Sequence, residues 1–150
     1  MIVWRIANKK FKTLSGVGGL YAGGRWHKQG SPVVYTAEHP ALSAMEVLVH
    51  MNMEMDDLPD YVLLEILIPD DLSMETFEVD PSDSQMCLEH GNSWLSRGED
   101  AVAKAPSVLM PKSHNYLLNP QHEDATRIAI QGEQPFVFDG RLTPAIGSLD

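Results

Sequence analysis

The sequence predicts a single-domain α+β protein, a strand-rich core with one dominant early helix. Three observations predict it. Short apolar or β-branched runs recur at residues 2–6, 33–37, 61–68, 102–109, 127–130 and 135–138, separated by glycine, proline and aspartate. One long helical period occupies residues 40–53. The strands do not alternate regularly with helices, which excludes a doubly wound parallel sheet. With 150 residues, 43% of them hydrophobic and 21% charged, the chain can bury a core and is assigned to one domain, residues 1–150.

Each element has a local reason. The start, Met1-Ile2-Val3-Trp4-Arg5, reads as a short strand; its apolar run is too short for a signal peptide. Residues 15–24 are glycine-dense and form either a surface loop or a loop that closes over a ligand. His39-Pro40 opens the helix, with proline at the first helical position. Asp56-Asp57-Leu58-Pro59-Asp60 is a breaker, and residues 61–68 are a strong strand closed by Pro69-Asp70-Asp71. Residues 73–88 carry no decisive pattern, residues 91–97 read as a short helix, and residues 143–150 are expected to fray.

The early helix carries the main chemical signal. At ~100° per residue, apolar side chains cover most of its circumference, while Ser43, Glu46 and His50 share an arc of roughly 60°. A carboxylate in such surroundings is costly to desolvate, so it must be paired, hydrogen-bonded or facing a wet cleft. A hydrogen-bonded pair with His50 is the structural reading, and a catalytic carboxylate is the functional one.

Charge is segregated. Residues 1–37 hold six basic residues and no acidic one, whereas the remainder hold five basic and 21 acidic, for a net charge of -10. The acidic field argues against broad nucleic-acid binding. It suits a small phosphate-bearing ligand held by local cations, or a basic protein partner on the acidic face. No apolar run approaches the ~20 residues of a membrane span. Cys87 is the single cysteine, so no internal disulfide forms, and a cytoplasmic location follows most simply.

Other motifs exclude more than they assign. Gly16-Val17-Gly18-Gly19 lacks dinucleotide-fingerprint spacing, and no Walker loop is present. The six histidines show no metal-ligand spacing, so no metal is expected. Neither Ser107, which follows Pro106, nor Ser113 sits in a nucleophile elbow. Arg25, between Gly24 and Trp26, offers a planar fork suited to phosphate; alone it reads as a surface arginine packed on a tryptophan.

In order and spacing the pieces resemble the RES domain family, named for an arginine, a glutamate and a serine. They are Gly23-Gly24-Arg25-Trp26, Tyr35-Thr36, Glu46-Val47-Leu48-Val49-His50, Gly91-Asn92-Ser93-Trp94-Leu95, Pro106-Ser107 and Asn115-Tyr116-Leu117-Leu118-Asn119-Pro120 with His122. The resemblance spans most of the chain, from Trp4-Arg5 to about His122. His27 departs from it, standing where asparagine is expected. The resemblance implies an ADP-ribosyltransferase-like fold, a toxin of a bacterial toxin–antitoxin pair, and an Xre-type antitoxin with a helix-turn-helix domain as partner. A homodimer within the larger complex is a further expectation. It also implies NAD as substrate, with no other cofactor, and Arg25, Tyr35, Glu46 and Ser107 as the site.

These residues support cleavage of the nicotinamide–ribose bond. Nicotinamide leaves as a neutral molecule, and the barrier lies in the oxocarbenium-like ribose left behind. An ionised Glu46 would stabilise that cation, Arg25 would grip the pyrophosphate or a ribose oxygen, Tyr35 would pack its ring on nicotinamide or ribose, and Ser107 would position Glu46 or the ribose. Water as acceptor gives a glycohydrolase, phosphate a phosphorylase, and a protein side chain an ADP-ribosyltransferase. Hydrolysis is favoured because it needs no acceptor site. A nuclease toxin and a non-catalytic module that titrates a DNA-binding partner are the competing classes. The acidic surface disfavours the first, and the second leaves Glu46 unexplained.

Overall fold

The computed structural model describes residues 1–51 and 58–142. The expected helix continuation to Met53, the breaker at residues 56–57 and the fraying of residues 143–150 lie outside the described residues. The strands are β1 (Ile2–Asn8), β2 (Val34–Ala37), β3 (Tyr61–Leu67), β4 (Met74–Thr76), β5 (Val102–Pro106), β6 (His114–Leu118) and β7 (Ala129–Phe136). They join one sheet in the order β4-β5-β6-β2-β1-β3-β7. Every pairing is antiparallel except β4 with β5. The helices are α1 (Gly18–Tyr21), α2 (Pro40–His50) and α3 (Ser84–Arg97). The mixed α+β class read from the sequence is the observed one.

Strand alternation gives the sheet two apolar faces. One carries Val3, Ala7, Val34, Val62, Leu64, Ile66, Val102 and Leu118, closed by Leu72, Ala101 and Ile128. The other carries Ala103, Ala105 and Leu117, covered by Cys87 and Trp94 of α3 together with Trp26 and Phe77. The alanines there leave room for the Trp94 ring, whose indole N–H is satisfied by the Asp100 carbonyl at 3.0 Å.

The sheet opens between β1 and β2. Only Trp4 and Ala37 are in register, whereas β1 and β3 pair along their full length. Past that single pair the Ile6 amide has no strand partner, and Ser43 Oγ of α2 accepts its hydrogen at 2.8 Å. Ser43 therefore anchors α2 at the opening. The helix begins as the sequence predicts, with the His39 side chain capping Ala41 N and Pro40 in the first turn. Met51 is already extended, so the helix closes at His50, short of the predicted end.

Two elements differ from the sequence reading. α3 starts at Ser84, where the Asp83 side chain caps Met86 N at 3.2 Å, and not at Gly91. Gly91 is interior to α3, and it marks the point of closest approach to the Trp26 backbone. A Cβ at Gly91 would collide with the Trp26 carbonyl. The two predicted strands at 127–130 and 135–138 are one, β7, with a register shift opposite Glu65 and Ile66. As an edge strand, β7 tolerates Pro135.

Gly91→Ala is expected to destabilise the fold by ~2–3 kcal/mol or more, as overpacking against backbone does, with a ~5–10 °C fall in melting midpoint. Thermal denaturation followed by circular dichroism checks this, and an unchanged midpoint would contradict the close approach.

Candidate active site

The site lies on the face of the sheet shared by α2 and α3. Tyr35 on β2 points to that face, in register with Leu117. Asn115 on β6 lies on the same face, opposite Ala37 and Ala105. Alternation carries this face on through Ala103 and Ala105 to Ser107, whose amide extends the ladder to the Ser113 carbonyl at 2.9 Å. Glu46 enters from α2, and Arg25 enters from the loop between α1 and β2.

Glu46 is half-buried. Burial pushes its pKa above the ordinary carboxylate value. The Asn115 side chain, the neighbouring His50 and the Arg25 guanidinium pull it back, in that order. Asn115 is itself buried, and its amide donates to the Thr36 carbonyl at 3.2 Å. The amide that steadies the carboxylate is thus itself anchored to β2. Sequence reading placed Asn115 in a matching motif but gave it no role in the site. In a run such as His-Asn-Tyr-Leu-Leu, an asparagine carries no signal until the strand is paired.

Arg25 is exposed, and its Nη1 donates to the Pro81 carbonyl at 2.8 Å. Its charge reaches Tyr35, Glu46 and Cys87. Among the described residues no ion pair joins Arg25 to Glu46. Each ionic group is held on its own element, and both charges act on Tyr35. The buried Cys87 thiol has its pKa raised by burial, and Arg25 opposes the rise.

The Tyr35 hydroxyl faces the loop. It lies 2.7 Å from His27 Nδ1 and accepts from the Trp26 amide at 3.2 Å. Its pKa is raised far above the ordinary phenol value, chiefly by burial. His27 is buried, and burial pushes its pKa below the ordinary imidazole value despite the Gly19 and Ala22 carbonyls. A Cβ at Gly24 would sit 2.6 Å from the Tyr35 hydroxyl. The glycine-dense loop therefore closes on its own histidine and tyrosine.

Ser107 is buried and accepts from the amides of Leu109 and Met110, each at 3.1 Å. It caps the β5–β6 turn, and among the described residues it makes no hydrogen bond to Glu46. Ser43 and His50, which share the Glu46 arc in projection, serve elsewhere: Ser43 holds β1, and His50 is exposed near Glu46. A separate open groove of about 500 Å³, lined by Leu14, Val17, Leu20, Pro32 and Pro120, contains none of the four site residues.

The RES domain matches residues 2–139. The chain belongs to the RES domain family. One RES relative, Toxin Res of Pseudomonas putida, is 40% identical over 147 residues, covering 95% of this chain and 99% of the relative. Another, the Prs ADP-ribosylating toxin of Sphingobium sp., is 31% identical over 153 residues, covering 93% of this chain and 94% of the relative. Among solved structures, the M. tuberculosis MbcT-MbcA toxin-antitoxin complex contains a chain of the same fold. The match has a TM-score of 0.73 at 16% identity, over 91% of this chain and 84% of that one. Among the described residues no helix is long and apolar enough to cross a membrane.

The raised Glu46 pKa predicts a pH-dependent stability cost. The fold favours the protonated carboxyl, so the wild type loses stability relative to Glu46→Gln as pH rises through the raised pKa. Glu46→Gln is expected to melt higher than wild type at pH 7–8. The two should converge near pH ~4, where the unfolded-state glutamate also takes up its proton. Equal melting curves across that range would show that the carboxylate is fully solvated.

Proposed function

We propose that this protein is the toxin of a toxin–antitoxin pair and that it consumes NAD by cleaving the nicotinamide–ribose bond. The observation that carries the proposal is that Arg25 and Glu46 both act on Tyr35 by their charge, with no ion pair between them among the described residues. A cation and an anion that close on one another have no need of a ligand. Held apart, they fit a molecule with a diphosphate at one end and a developing positive charge at the other. The names of the Pseudomonas and Sphingobium relatives support the toxin reading, and the latter's supports ADP-ribosyl chemistry.

In this reading Arg25 grips the pyrophosphate through the donors not used by Pro81. The Tyr35 hydroxyl is committed to the loop, so the tyrosine offers its ring to nicotinamide or ribose. Glu46, beside the buried amide of Asn115, stabilises the oxocarbenium-like ribose. Ser107 shapes the turn at the end of β5 beside Asn115 and acts on the carboxylate through that packing. The C1′–N bond breaks with its electrons leaving on neutral nicotinamide. Water then adds at C1′ and releases a proton, giving ADP-ribose. Phosphate or a protein side chain in place of water would give phosphorolysis or ADP-ribosylation.

Purified protein incubated with NAD should release free nicotinamide, detected by proton NMR. Glu46→Gln should lower kcat ~10²-fold or more, the usual scale for a preorganised electrostatic group. Arg25→Ala should act mainly on KM. A folded Glu46→Gln variant that releases nicotinamide at near wild-type rate would overturn the assignment. Adding inorganic phosphate, or a lysate with labelled NAD, separates the three acceptors by product.

We further assign the partner as an Xre-type helix-turn-helix antitoxin that covers this cleft. The net charge of -10 suits a partner with cationic side chains. Expression of the toxin alone should arrest growth, and co-expression with the neighbouring antitoxin should restore it. Growth unaffected by the unpaired toxin would count against the pairing.

A further inference from the structure

We infer that His27 is a positioning residue: its ring locks the Tyr35 hydroxyl, and through it the Trp26 amide, so that the loop holds the backbone of Arg25 in one place. Hydrogen-bond inventory fixes the direction of every link. The Ala22 carbonyl can only accept, so His27 Nε2, 3.1 Å away, carries a hydrogen. A neutral imidazole has one N–H, so Nδ1 is a lone pair. The Tyr35 hydroxyl at 2.7 Å must therefore donate to it. That leaves the oxygen's own lone pairs for the Trp26 amide at 3.2 Å. The chain of bonds runs from amide to phenol to imidazole to carbonyl, with every hydrogen in it paired.

Its effect falls on Arg25. The Trp26 nitrogen belongs to the peptide plane that joins Arg25 to Trp26, so fixing it fixes the backbone on which the guanidinium swings. The His27 carbonyl closes the same loop by accepting from Gly24 N at 3.0 Å. The side chain is held at its far end by Pro81 O. Arg25 is thus pinned at root and tip, and the root depends on His27.

The inference concerns the site of the proposed NAD reaction, so its test separates the two. In the full-length protein labelled with ¹⁵N-histidine, NMR should show His27 as the neutral Nε2–H tautomer, with an Nδ1 signal that moves in Tyr35→Phe. His27→Ala should raise KM for NAD about tenfold, as loss of a buried hydrogen-bond relay does, with kcat within ~threefold. His27→Asn keeps an acceptor near the Nδ1 position, and it should recover most of that affinity although it cannot reach Ala22. Hydrogen exchange at the Trp26 amide should quicken in His27→Ala and return toward wild type in His27→Asn. An Nδ1–H tautomer, a wild-type KM in His27→Ala, or equal KM losses in the Ala and Asn variants would each overturn the inference. If the wild type releases no nicotinamide, the NAD reading fails, and the tautomer and the Trp26 exchange still decide the role of His27. If His27→Ala does not fold, the wild-type tautomer and the Asn variant decide it.

Discussion

The Tyr35 hydroxyl is the point at which a rigid sheet takes hold of a loop that would otherwise wander. β2 fixes the ring, and the ring fixes the hydroxyl. The hydroxyl, partnered by His27, fixes the peptide that precedes Trp26. Ordering a backbone residue costs ~1–2 kcal/mol, and a glycine-dense segment sits at the expensive end of that range. The loop meets this cost by packing inward from several sides. Trp26 stacks at 5.2 Å on Phe77. α3 presses Gly91 against the Trp26 carbonyl, and His27 fills the interior. Gly24 has to lack a side chain because the phenol occupies the place of its Cβ. Exposed as it is, Arg25 is therefore delivered by a buried scaffold.

Glu46 poses the opposite problem. Its backbone is secure on α2, which Ser43 bolts into the opening between β1 and β2. Its side chain is where the fold loses stability. Burial favours the protonated form, and the chain answers with a buried amide, a histidine and an arginine, none of which forms a close ion pair with it among the described residues. A tight salt bridge would relieve more of the strain, but it would also neutralise the field that a cationic transition state needs. Partial compensation keeps the carboxylate available. In the proposed reaction it is the familiar exchange of stability for activity.

How much of this the sequence discloses depends on where each signal is generated. α2 is legible because its start, His39-Pro40, and its apolar period are local. β3 is legible because both its faces are buried or half-buried over six consecutive residues, Tyr61 to Ile66. α3 is legible only from its middle onward, because residues 73–88 carry no decisive pattern until its first turns are seen packing under the Asp83 cap. β7 reads as two strands because an exposed edge strand lacks the apolar continuity that marks a buried one. In the site, Glu46 declares itself as a carboxylate amid apolar neighbours. Asn115 and His27 do not, since their partners, Thr36, Tyr35 and Ala22, become neighbours only when strands pair and the loop closes. Residues that act through one another are the hardest to read from spacing.

The segregation of charge along the chain acquires a meaning once the ion pairs are located. Two of the positive groups in the first third are neutralised across the fold: Lys12 pairs with Glu133 at 2.9 Å, and the Met1 amino group pairs with Asp70 at 2.9 Å. The arginines of that third are treated differently. Arg5 donates to the Thr13 carbonyl at 3.1 Å and Arg25 to the Pro81 carbonyl at 2.8 Å. Among the described residues neither meets a carboxylate within ion-pair distance. A carbonyl orients a guanidinium but leaves its charge intact, whereas a carboxylate spends it. In a molecule of net charge -10, an exposed arginine that keeps its full charge is a local exception to the surrounding field. A small diphosphate approaching it meets attraction over the few ångströms that matter. A long polyanion meets the acidic remainder of the surface. In the proposed function, selection for a compact anionic ligand over a nucleic acid is thus set by which partner each cation is given.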